Sequence, residues 1–175
     1  AYSASALSFM LDGLSKPVIF TGAQIPIGKI RSDARENLIT AIEIASKRKN
    51  DRPLINEVCI YFNFILIRGN RAQKIKSSTF GAFESQNYPR LAESGIEIRY
   101  FESNLSKYEL GNKFYCSTTF DPNIAVLKIF PGITIELVEA IIGTKNLKGI
   151  VLESFGSGNT MHTDWFISKL GVCRT

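Results

Sequence analysis

Lys74 stands in the stretch ILIRGNRAQKIK, residues 65–76, where an apolar strand-like run turns at a glycine into a cluster of cations. Such a cluster admits three readings: a landing pad for phosphate, a solvated basic loop, or the seat of one lysine that exchanges a proton. The third requires a hydroxyl nucleophile, which a lysine can serve as base. At a reference pKa of about 10.4, only about one lysine in 2,500 is neutral at pH 7. Burial or neighbouring cations must lower that value, and Arg68, Arg71 and Lys76 are the cations nearest in sequence.

Other chemistries find less support. Neither G-x-G-x-x-G nor G-x-x-x-x-G-K-[ST] occurs, so no motif stands behind a nucleotide site. A G-x-S-x-G elbow is also missing, and the sole histidine, His162, reads as a polar residue at the start of the last helix rather than as a triad base. Cys59, Cys116 and Cys173 are far apart, odd in number and without metal-ligand spacing, which argues for a reducing, cytoplasmic setting and against a metal site. The net charge of +5 is spread among sixteen acidic residues, and the Lys47-Arg48-Lys49 run with Arg52 follows a helix, whose carboxyl end favours cations. No apolar run is long enough to cross a bilayer, and no signal-peptide pattern is present.

The elements that must position Lys74 follow from periodicity. Leu7, Met10, Leu11 and Leu14 form a helical stripe over residues 1–14, ended by Gly13 and Pro17. PVIF is a short buried strand. Asp33 and Glu36 make a capping pair for a second helix with Leu38, Ala41, Ile42 and Ala45 on one face. NEVCIYF is a strand, IEIRYF an edge strand, and residues 103–113 a polar linker. The alternation then restarts: IAVLKIF is a strand, residues 133–141 a helix with apolar positions 133, 137, 140 and 141, and KGIVLESF a strand. Strands alternating with helices predict an α/β fold with parallel, flavodoxin-like or Rossmann-like sheets. Ligands then belong in the loops at the carboxyl ends of strands, here TGAQIP, RGNRAQK, FPGIT and FGSGN.

Those loops lie in longer blocks with a recognisable likeness. AYSASALSFML, KPVIFTGAQIPIGKIRSDARENL, RGNRAQK, AFESQNYPRLAESGIEI, FPGIT and LESFGSGN resemble, in order and spacing, bacterial type I (cytoplasmic) L-asparaginases. The family uses two threonines, one in a T-G-G-T segment and one in H-G-T-D-T just before the stretch matched by Ala1; neither segment is in this sequence. The resemblance implies that Lys74 is the catalytic lysine grouped with the second threonine, and that the Ala23 carbonyl contacts the substrate amide. It also implies that Asn159, in GSGN, approaches a neighbouring subunit's pocket. Residues 1–103 would belong to the amino-terminal domain, 104–121 to a connection and 122–175 to the start of a smaller carboxyl-terminal domain.

The expected activity is hydrolysis of L-asparagine to L-aspartate and ammonia, without metal or cofactor, in a homodimer or homotetramer. The chain reads as an internal fragment, inactive by itself. Departures from the family pattern are Gln73, where a small hydroxyl residue is common and bears on allosteric asparagine binding, and the ending LGVCRT. The rivals are a non-catalytic remnant and a basic module binding RNA or phosphate, whose affinity would fall steeply with salt.

Overall fold

In the computed structural model, residues 1–77, 79–107, 111 and 113–172 are described. Cys173, the last residues of LGVCRT, and residues 108–110 and 112 of the polar stretch lie outside them. The chain divides into two compact units, Ala1–Thr119 and Phe120–Thr175.

The first unit begins with α1 (Tyr2–Met10), β1 (Leu11–Asp12) and β2 (Val18–Phe20), then α2 (Ala34–Ser46), β3 (Arg48–Lys49) and β4 (Arg52–Pro53). It continues through β5 (Val58–Phe62), β6 (Ile65–Arg68), a 3-10 turn (Gly69–Arg71), β7 (Gln73–Lys74) and β8 (Phe83–Glu84). After β9 (Ala92–Ser94) and β10 (Ile98–Tyr100) comes a second 3-10 turn (Glu102–Asn104), and β11 (Tyr115–Cys116) returns to pair with β1. The second unit holds β12 (Ile124–Lys128), α3 (Ile135–Ile142), β13 (Gly149–Glu153) and α4 (Asp164–Val172).

The main sheet of the first unit has the order β10-β9-β6-β5-β2. Here the expectation of a parallel sheet needs correction: only β2 and β5 are parallel, and the β5–β6, β6–β9 and β9–β10 pairs are antiparallel. The cause is local. Asn63 and Phe64 both take positive φ, 46° and 66°, and so form a two-residue turn whose twist suits a hairpin. Phe62 therefore pairs with Ile65, and the chain reverses where a crossover was expected. The parallel expectation does hold in the second unit, where β12 and β13 pair in parallel from Ile124↔Gly149 to Lys128↔Glu153.

Strand β5 is buried along its whole length, and its alternation builds two cores. Cys59 and Tyr61 pack with Ala41 and Ile44 of α2, whereas Val58, Ile60 and Phe62 pack with Ala4 of α1. The helix α2 is rotated from its predicted face. Asn37, Thr40, Ala41 and Ile44 are buried, while Leu38, Ile42 and Ala45 are exposed. In the α1 stripe, Leu7, Leu11 and Leu14 do pack on the core. The helix is shorter than the 1–14 expected: it stops at Met10, Leu11 is already extended in β1, and Gly13 turns the chain after that strand with φ at +65°, where a Cβ would meet the Lys113 carbonyl oxygen at 2.5 Å.

In the second unit Leu127, Ile129, Ile133, Val138 and Phe166 form the core. Fully burying side chains such as Val138 and Phe166 stabilises by about 1.5–3 kcal/mol each. Thr134 caps α3 by accepting from the Leu137 amide at 3.4 Å. Leu137 and Ala140, expected to face inward, are exposed.

Candidate active site

The carboxyl ends of the two parallel strands, β2 and β5, open into a cavity of about 280 Å³. Its floor and walls come from Phe20, Ile60, Phe62 and Phe83, and its polar rim from Thr21, Gln24, Ser3 and Lys74. Ala23 and Lys74, fifty-one positions apart, line this same space. Ala1 lines it too.

Lys74 reaches the rim because β7 and β8 form a small hairpin in which Lys74 lies opposite Phe83. The Ile75 amide donates to the Ala82 carbonyl at 2.9 Å, which extends the pairing. Phe83 anchors the hairpin against Phe62, edge to face, with ring centres 5.3 Å apart. The desolvation expected for Lys74 is not provided here, because its side chain is exposed.

The cations grouped with Lys74 in sequence separate in space. Arg71 and Lys76 are exposed, and Arg68 turns away to the opposite end of the sheet. There the Arg68 guanidinium pairs with the buried Glu57 carboxylate, its Nη2 donating to Glu57 Oε1 at 3.2 Å, the Asn104 carbonyl at 3.1 Å and Ser106 Oγ at 3.1 Å. The Tyr88 ring covers it at 4.2 Å. The Ser106 amide completes the cluster by donating to Glu57 Oε1 at 2.8 Å. Arg68 thus borders a different cavity, of about 290 Å³, with Ser8, Asp12, Asn56 and Asn70. Gly69 permits this route: a Cβ there would meet Ser8 Oγ and the Val58 carbonyl oxygen, each at 2.9 Å.

Two residues hold the loop after β2: Asp33, expected to form a capping pair with Glu36, and Asn37, which sequence reasoning did not single out. Asp33 precedes α2 but makes no side-chain cap to it. Its carboxylate instead accepts from the amides of Gln24 and Ile25, each at 3.0 Å. Asn37, one turn on, donates to Asp33 Oδ2 at 3.2 Å and to the Gly22 carbonyl at 2.9 Å, while its Oδ1 accepts from the Asn63 amide at 3.3 Å. Desolvation pushes the Asp33 carboxyl up, but the Gln24 and Ile25 amides and the Asn37 side chain outweigh it and hold the group below the usual value. The available signal was an Asn at a buried position of a helix, four residues after an Asp.

Asn159 lies in the second unit. Its carbonyl accepts from the Phe155 amide at 3.0 Å and its Oδ1 from Ser157 Oγ at 2.7 Å. His162 is exposed ahead of α4. Among the described residues no group of three His, Cys, Asp or Glu side chains could hold a metal ion, and no helix is long and apolar enough to cross a membrane.

Comparison with known proteins decides the family. Residues 1–106 match the family described as "Asparaginase, N-terminal". The chain belongs to the asparaginase family. It is 41% identical over 170 residues to L-asparaginase 1 of Escherichia coli K12, a match covering 97% of this chain and 48% of that protein. It is 40% identical over 159 residues to the 60 kDa lysophospholipase of Mus musculus, covering 91% of this chain and 27% of the relative. The crystal structure of L-asparaginase I from Vibrio cholerae superposes with a TM-score of 0.82 at 37% identity, over 98% of this chain and 50% of that one. This asparaginase-family chain therefore spans about half the length of the bacterial relatives it matches.

Proposed function

We propose that the chain supplies the lysine side of an L-asparaginase site. The reaction is hydrolysis of L-asparagine to L-aspartate and ammonia through an acyl-enzyme on a threonine contributed from outside these residues. The carrying observation is that Lys74 and Ala23, which match the family's catalytic lysine and amide-contacting residue, line one cavity at the carboxyl ends of parallel strands. Attack of the threonine hydroxyl on the side-chain amide carbon expels ammonia, and water then releases aspartate from the ester. Lys74 supports the threonine as acid and base, a role typically worth ~10²–10⁴-fold in rate.

Ala1 borders the cavity beside Lys74, so a segment joined ahead of Ala1, as H-G-T-D-T is in the family, would enter the cavity at the ammonium. Such a segment would also supply the desolvation that Lys74 lacks here. The 175 residues alone are then inactive, and the complete protein works in the cytoplasm as a homodimer or homotetramer, with Asn159 approaching a neighbour's cavity. A cationic pad for phosphate or RNA is disfavoured, because Arg68 is committed to Glu57 and lies at the other end of the sheet. The test is ammonia release from L-asparagine by the product of the complete reading frame, with L-glutamine alongside. An active wild-type protein whose Lys74→Met variant kept normal turnover would refute the assignment of Lys74.

A further inference from the structure

The peptide that borders the proposed substrate is pinned on both sides and left open in the middle. Gly22 gives its carbonyl to Asn37, Gln24 and Ile25 give their amides to Asp33, and among the described residues Ala23 has no hydrogen-bond partner for either backbone group. Ala23 is exposed on the cavity lining, so its backbone groups are open to solvent and equally to a ligand in the cavity. We infer that Asp33 and Asn37 are positioning residues that hold the Gly22–Ala23–Gln24 backbone at the geometry needed to receive the substrate amide. This inference rests on the asparaginase reading of the cavity.

The two side chains work as a unit because each has its orientation fixed by a third group. Asn37 is 3% exposed, and its amide cannot flip without facing the Gly22 carbonyl with an oxygen and the Asn63 amide with a donor. That leaves one Nδ2 hydrogen for Asp33 Oδ2. The other partners of the Asp33 carboxylate are both N–H donors, so every contact demands an acceptor and none tolerates an N–H. A carboxylate satisfies this; an asparagine of the same shape would turn its NH₂ toward either Asn37 Nδ2 or the loop amides. Anchoring through the Asn63 turn also ties the loop to the β5–β6 hairpin, a rigid part of the sheet.

The test uses the product of the complete reading frame as wild type and as Asp33→Asn, Asp33→Glu and Lys74→Met. Asp33→Asn should raise KM for L-asparagine about tenfold or more with a smaller change in kcat, since a displaced binding group is lost from ground state and transition state alike. Lys74→Met should act mainly on kcat. Asp33→Glu, which keeps two acceptor oxygens, should recover part of the lost affinity. Amide hydrogen exchange should speed up at Gln24 and Ile25 in Asp33→Asn while β5 stays protected. Loosened amides with an unchanged KM would overturn the inference and leave the asparaginase reading standing. A wild-type protein that releases no ammonia would overturn that reading and this inference with it.

Discussion

The two ends of the main sheet use polar side chains in opposite ways. At the end where β5 begins, Glu57 and Arg68 satisfy each other under the Tyr88 ring and fasten Asn104 and Ser106. At the end where β2 and β5 finish, Asp33 and Asn37 satisfy the backbone on either side of Ala23 and leave Lys74 and Ala23 open to a cavity. The first arrangement closes a surface, and the second keeps one available. Arg68 and Lys74 are neighbours in sequence, yet they serve these different purposes because the 3-10 turn and β7 carry the chain from one end toward the other.

That division predicts which substitutions hurt activity and which hurt stability. In the complete protein, Lys74→Met should lower kcat at least ~10²-fold while leaving the melting temperature nearly unchanged, and Lys74→Arg should not restore it, because a guanidinium stays protonated. Steady-state ammonia release together with circular dichroism checks both.

Arg68→Met should do the reverse. Removing one partner of a largely buried ion pair costs about 3 kcal/mol, read as a lower denaturant midpoint with kcat little altered. If Arg68→Met abolished turnover at full stability, the two ends would not be separate in function.

Smaller effects sharpen the contrast. Phe64→Gly should stabilise by about 1 kcal/mol, because Phe64 holds φ at 66° and the residue is 52% exposed. An unchanged or lower denaturant midpoint would count against the strained turn.

The Asp33 clamp should be sensitive to acid. Its carboxyl is held below the ordinary aspartate value, so its contribution is complete at neutral pH and is lost as pH falls through that lowered value. Protection of the Gln24 and Ile25 amides, corrected for intrinsic exchange rates, should follow this course and disappear only in acid. Loss near neutral pH would point to another group.

Much of this was legible in the residues. Short apolar runs marked β2, β5, β12 and β13, and IEIRYF was readable as an edge strand, which β10 is. Two features were hidden for physical reasons. The hairpin turn uses Asn-Phe where Asn-Gly would have announced it, so the reversal after β5 left no familiar signal. The helix α2 exposes Leu38 and Ile42, because the face that packs Ala41 and Ile44 into the core is the same one that carries Asn37 to the loop and to the Asn63 turn. The likeness to the family singled out Lys74 and Ala23, which line one cavity, while pattern alone left the cluster around Lys74 open. The Arg68 contact with Glu57 was beyond reach, since nothing local specifies the partner of a charge.

The two-residue turn between β5 and β6 also bears on the order of folding. A hairpin joins chain segments that are already close and can form in about 1–10 μs, whereas pairing Val18 with Val58 requires closing a long intervening loop. Contacts of high sequence separation slow folding, so β5 and β6 form the early template and β2 joins it later. Because Asn37 bonds to the turn amide of Asn63, the loop around Ala23 reaches its final shape only after that template exists. The cavity is therefore among the last parts of the first unit to assemble, and a slow step in refolding should show itself there first.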